Sequence, residues 1–167
     1  MKKSIFTVLL GASLIALISG CSQQKEEVAA SDINVGIILG FTGPIESLTP
    51  TMASSAEMAF KEATDAGVLN GSTLNPVRAD STCIDAAAAT SAAERLVTAD
   101  NVAAIMGADC SGVTTAIANN VAVPNGVTII SPSATSPALT TIEDKGFFFR
   151  TAPVSYTHLR AHETCTN

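Results

Sequence analysis

The chain of 167 residues has no tryptophan, one tyrosine and two histidines. Those three rare side chains, Tyr156, His158 and His162, all lie close to the carboxyl end. Residues 1–155 therefore contain no imidazole, and neither a Ser-His-Asp triad nor a histidine-held metal site can be built from them. His158 and His162 are spaced as i and i+4, but no acidic or cysteine partner is placed to complete a metal site. Basic residues are also few: 9 against 15 acidic ones, for a net charge of −6. An acidic chain argues against a nucleic-acid partner. Long apolar runs are missing after the first twenty positions. The one such run, Ile5 to Ile18, is shorter than a membrane span requires.

That run has the setting of a secretory signal. Lys2 and Lys3 precede it, and small residues follow it. Ile18-Ser19-Gly20-Cys21 resembles the bacterial lipobox, whose cysteine takes diacylglycerol and becomes the new amino terminus. The expectation is a signal peptide over 1–20 and a lipid anchor on Cys21, since two or more acyl chains hold stably to a membrane. The alternative is an ordinary signal with a chance cysteine at its end. Residues 21–32, polar and then small, read as a flexible tether.

The other end breaks the pattern. Val154-Ser155-Tyr156-Thr157-His158-Leu159-Arg160-Ala161-His162-Glu163-Thr164 resembles the in-frame translation of a sequencing adapter. Residues 154–167 are therefore expected to be foreign and are set aside from the fold. Without Glu163, Lys2, Lys3 and Arg160, residues 21–153 keep 14 acidic and 6 basic side chains, net −8. The stretch 33–153 is long enough for one domain with a real core.

Within it two periods alternate. Strands are predicted at Ile33–Leu39, Leu74–Ala79, Val102–Met106, Val127–Ile130 and Phe147–Arg150. Between them lie predicted helices. The first covers about Thr51 to Ala66, with Thr49 as N-cap and Pro50 in the first helical position. Its apolar stripe is Met52, Ala56, Ala59, Phe60 and Ala63. The second is Ile84–Ala99, facing inward with Ala92, Leu96 and Ala99. The third is Ser111–Val121, closed by the Pro124-Asn125-Gly126 turn. A helical turn is predicted within Ser136–Ile142. Strand and helix in repetition imply an α/β fold: an open parallel sheet, right-handed crossovers, and helices on both faces, three layers in all.

Two loops carry the chemistry. Gly107-Ala108-Asp109-Cys110-Ser111-Gly112 follows the third strand, and Ser131-Pro132-Ser133-Ala134-Thr135-Ser136-Pro137 follows the fourth. Ligands of open α/β sheets bind outside the carboxyl ends of the strands. Hydroxyls and helix amides there suit a small anion such as a carboxylate. With Thr42-Gly43-Pro44, Cys83 and Phe149-Arg150-Thr151-Ala152-Pro153, these segments resemble the leucine/isoleucine/valine-binding family of ABC-importer receptors, the type I periplasmic binding proteins. The resemblance covers about Ile33 to Pro153. It implies a two-lobed receptor of which 33–153 is most of the first lobe.

It also implies roles. Ser111 and Thr135 would grip the α-carboxylate of an amino acid, and Ser133 would offer its backbone carbonyl to the ammonium group, beside Ala134. Capping alone is the bland alternative for both hydroxyls. Asp109 reads as a solvated or loop-bonding carboxylate, with a ligand contact as the alternative. Where leucine-type receptors carry an aromatic over the ligand side chain, this chain has Leu48 within Ile45-Glu46-Ser47-Leu48-Thr49. The family implies a branched-chain-type amino acid or a related small carboxylate; the departure at Leu48 leaves open a smaller aliphatic, a polar amino acid or another small carboxylate. Much of the pocket and the acidic ammonium partner would belong to the second lobe. Cys83 and Cys110 match a family disulfide, with two free buried thiols as the alternative. No cofactor and no metal are implied.

The function expected from the resemblance is an extracytoplasmic solute receptor, held in the cell envelope through Cys21 and delivering its ligand to ABC permease subunits. A second expectation, from another class, is an envelope lipoprotein of the same fold acting as a protein-interaction or regulatory module. It predicts a cleft without the hydroxyl pair. An enzyme would have to run acid/base chemistry on Asp or Glu alone, with only Asp109 on the cleft loops, and is not expected.

Overall fold

The computed structural model describes residues 30–155. The proposed signal peptide, Cys21, most of the tether and residues 156–167 lie outside the described residues.

Five strands form one parallel sheet: β1 (Asp32–Leu39), β2 (Thr73–Asp80), β3 (Ala104–Gly107), β4 (Thr128–Ser131) and β5 (Phe148–Arg150), in the spatial order β2-β1-β3-β4-β5. Three helices connect them: α1 (Thr49–Asp65), α2 (Ala86–Thr98) and α3 (Ser111–Ile117), the last running on through a π turn at Ala118–Ala122. A 3-10 turn at Pro137–Thr140 joins β4 to β5. This is the open α/β sheet the alternating pattern predicts.

The two faces separate by strand parity, as a period of two requires. Ile38, Ile105, Ile129 and Phe148 point to one face and pack with α2 and α3 residues such as Leu96, Val113 and Ile117. Ile37 and Leu39 point to the other and pack with Ala53, Met52, Ala56 and Phe60 of α1. Helices therefore lie on both faces, but unevenly. Register places Ile37, Met106, Ile130 and Phe149 in one row on the α1 side. Ile37 is sealed, while Ile130 and Phe149 are 41% and 52% exposed.

Local corrections have local causes. Thr49 is not an N-cap: α1 begins at Thr49 itself, and its buried hydroxyl donates to the Gly40 carbonyl at 3.0 Å. Leu48 holds the N-cap position, so Thr49 lies inside the first turn, where its hydroxyl turns back to the loop after β1. Helix α2 starts at Ala86, not Ile84. Thr82 and Cys83 hold positive φ, and Asp85 accepts from the amides of Ala87 and Ala88. Its sealed stripe is Ala89, Ala93 and Leu96, with Ala99 exposed. On α1, Ala59 is exposed and Ala53 buried, so that stripe also lies to one side of the expected one.

Candidate functional site

Parallel strands bring every strand's carboxyl end to the same edge. Gly40, Ser81, Asp109 and the segment after Ser131 meet there. The centre is Asp109, which is 4% exposed. Its Oδ2 accepts the Gly40 amide at 2.7 Å, and its Oδ1 accepts the Cys110 amide at 2.9 Å and the Ser81 hydroxyl at 3.3 Å. Its carbonyl accepts the Ser133 hydroxyl at 2.9 Å. One residue thus ties four strand ends together. Of its expected roles, the loop-bonding one holds, and the carboxylate is not solvated.

A second set of bonds fixes the β4 loop. The buried Ser131 hydroxyl donates to the Ala108 carbonyl and accepts the Ala134 amide at 3.0 Å. Thr114 donates from α3 to the same Ala108 carbonyl at 3.0 Å. Gly107 makes the close approach possible. A Cβ there would sit 2.0 Å from the Ile38 carbonyl oxygen, and its φ of +134° is one that side-chain-bearing residues rarely adopt.

Ser111 opens α3 without capping it, because Cys110 stands at the N-cap and no side chain caps that helix. The Ser111 hydroxyl instead accepts the Ser136 amide at 3.1 Å, across from the β4 loop. An oxygen that accepts an N–H still has its own proton to donate. Among the described residues, no group accepts that proton. The Thr135 hydroxyl likewise makes no hydrogen bond among the described residues, while the Thr135 carbonyl accepts the Ser155 amide at 3.0 Å. Ser133 is exposed, with its hydroxyl committed to Asp109. Ala134 is 1% exposed and its amide is occupied, so it shapes the loop. Leu48 projects at the rim of the β1–α1 loop, 60% exposed.

Cys83 and Cys110 form a disulfide with Cα atoms 5.2 Å apart, joining the β2–α2 loop to the residue before Ser111. Beside it, Asp80 accepts the Thr42 hydroxyl at 2.6 Å and the Thr82 amide at 2.8 Å. Burial pushes the Asp80 carboxyl up, but bonds from the Thr42 hydroxyl and from the amides of Thr82, Thr42 and Phe41 outweigh it, leaving the pKa below its ordinary value. Thr42-Gly43-Pro44 is thereby anchored to the end of β2. Among the described residues no group of three His, Cys, Asp or Glu could hold a metal ion.

Sequence reasoning assigned no role to Arg150, Ser131 or Ser136. Arg150, from β5, donates to the Ser136 carbonyl at 2.7 Å and to the Thr140 hydroxyl at 2.5 Å. The only signal for it was its place within the Phe149–Pro153 segment.

With these loops in place, the comparisons with known proteins are decisive. The model of the periplasmic binding protein family matches residues 32–162. The chain belongs to that family. The match runs past Pro153. The family is one of substrate-binding proteins, not enzymes. The leucine-specific-binding protein of Salmonella typhimurium is 29% identical over 140 residues, covering 84% of this chain and 35% of that protein. The Leu/Ile/Val-binding protein homolog 1 of Brucella abortus is 35% identical over 140 residues, with the same coverage of 84% and 35%. In structure, the chain is similar to the branched-chain amino acid transporter substrate binding protein of Streptococcus pneumoniae in complex with isoleucine. The TM-score is 0.66 at 30% identity, over 74% of this chain and 34% of that one. This chain spans about a third of the length of these relatives.

Proposed function

We propose that the complete product of the reading frame carrying this chain is the solute receptor of an ABC importer. It binds a branched-chain-type amino acid, or a related small carboxylate, and passes it to membrane permease subunits. The observation that carries this reading is the facing pair of hydroxyl loops: Ser111 held against Ser136, with Thr135 beside it. Two hydroxyl donors without acceptors among the described residues, at the ligand-binding edge of a parallel sheet, form a receptor for a carboxylate that needs no buried basic side chain. The Ser133 carbonyl then faces an ammonium group, and Leu48 covers an aliphatic side chain. Relatives named for leucine, isoleucine and valine support the substrate class.

In this reading residues 33–153 form one wall, and a second lobe closes over the ligand by hinge motion. Residues 1–20 direct export, Cys21 carries the lipid, and the receptor works on the outer side of the cytoplasmic membrane. Residues 154–167 are foreign to it.

Calorimetric titration of the complete product with L-leucine, L-isoleucine and L-valine tests the site. Ser111→Ala and Thr135→Ala should each weaken binding by roughly tenfold, the value of one hydrogen bond to a charged group. Wild-type affinity in both variants would remove the site assignment.

A further inference from the structure

We infer that Arg150 is the positioning residue of the carboxylate receptor, acting through the loop and not on the ligand. The inference rests on the site reading above and extends it to a residue on a different strand.

The geometry is a bracket. Arg150 leaves the carboxyl end of β5, and its Nη1 donates to the Ser136 carbonyl at 2.7 Å and, at a long 3.5 Å, to the Ala134 carbonyl. Those two carbonyls flank Thr135. The other nitrogen, Nη2, donates to the Thr140 hydroxyl at 2.5 Å, beyond the 3-10 turn. One planar guanidinium thus grips the loop on both sides of Thr135 and ties it to the turn that follows. Only a rigid fork does this; an ammonium is a point charge that reaches fewer partners at fixed angles.

The same grip reaches Ser111. The Ser136 amide orients the Ser111 hydroxyl, and the carbonyl of that same Ser136 is the one Arg150 holds. A chain of bonds runs from the Arg150 guanidinium through Ser136 to Ser111. Arg150 holds the residue on which that chain turns. Releasing the guanidinium frees the Thr135 backbone and loosens the amide that aims Ser111. Both donors to the ligand carboxylate then lose their fixed geometry, and pre-organisation is what gives such donors their affinity.

The experiment uses the complete product and calorimetry with L-leucine, L-isoleucine, L-valine and L-leucinamide, the last lacking the carboxylate charge. Arg150→Gln should lower affinity for the tightest-binding amino acid roughly tenfold. Arg150→Lys should recover part of that loss. The preference for leucine over leucinamide should shrink in Arg150→Gln, whereas a general loss of folding would leave that ratio unchanged. The double variant Ser111→Ala/Arg150→Gln should lose less than the product of the two single losses, because both act on one interaction. If Ser111→Ala and Thr135→Ala weaken binding but Arg150→Gln does not, the positioning role is wrong and the site stands. An unchanged leucine-to-leucinamide ratio, or fully multiplicative losses, would overturn it as well. If no amino acid binds the wild type, or if none of the substitutions alters binding, the site reading falls and this inference with it.

Discussion

Asp109 accepts the Gly40 amide at 2.7 Å, a bond that joins the end of β3 to the end of β1. The carboxylate is almost sealed and also takes the Cys110 amide and the Ser81 hydroxyl. Three donors exceed what a buried amide oxygen can satisfy. In Asp109→Asn the NH2 group must face at least one of them, leaving a buried donor unpaired. The expected cost is about 2–3 kcal/mol of unfolding free energy. Urea denaturation with an unchanged m-value checks it, and a change below about 0.5 kcal/mol would show that these bonds contribute little.

Asp109 reads as a loop-bonding carboxylate, but its partners are not legible in the sequence, and the reason is range. Strands such as Ile33–Leu39 announce themselves by apolar runs, and their parallel order follows from the helices between them. The partners of Asp109 have no such local signal: Gly40 and Ser81 lie 69 and 28 residues away. Thr49 failed for the same reason, since the Gly40 carbonyl that captures its hydroxyl is not its neighbour in any helix pattern. Ser111 and Thr135 stand out as candidates because their loops resemble those of a family. Arg150 was legible only as part of a motif, because the bracket around Thr135 exists only once β5 pairs with β4.

Gly107 offers a sharper test of packing. An added methyl would press on the Ile38 backbone at 2.0 Å, and backbone cannot move aside as a side-chain end can. Gly107→Ala should therefore destabilise the domain by at least about 3 kcal/mol. Gly112 is the control, because a Cβ there meets nothing within 4 Å. It lies in the first turn of α3, so Gly112→Ala should be neutral or stabilise by up to about 1 kcal/mol. Thermal unfolding of the two variants should separate them clearly; equal melting temperatures would contradict the close approach of β3 to β1.

The Cys83–Cys110 bond closes a loop with a sequence separation of 27. In the chain-entropy account, opening a loop of that size costs about 3.5 kcal/mol. The double variant Cys83→Ser/Cys110→Ser should lose that much, and a reducing agent should lower the stability of the wild type toward the variant's and leave the variant unmoved. Equal stability of oxidised wild type and variant would mean that the cross-link restrains little in the unfolded chain.

Acid should weaken the fold partly through Asp80. Its pKa lies below the ordinary 3.8, because the bonds from Thr42, Thr82 and Phe41 outweigh the burial that opposes them. A carboxyl depressed in the folded state contributes stability that is complete above its unfolded pKa and is lost as pH falls through the folded one. The loss through Asp80 therefore begins near pH 4 and continues below it. Glu57 acts in the same direction: its bond to the Arg78 guanidinium holds its carboxyl below 4.5, though this pair is open to solvent and salt screens it. Unfolding free energy measured from pH 6 down to pH 2.5 should fall less steeply in Asp80→Asn than in the wild type, with the difference confined to the region below about pH 4. Adding salt should flatten the part due to Glu57 and leave most of the Asp80 part, because the Asp80 bonds are to a neutral hydroxyl and backbone amides. An acid limb of the same slope in Asp80→Asn would mean that the anchor of the Thr42 loop carries no linked proton.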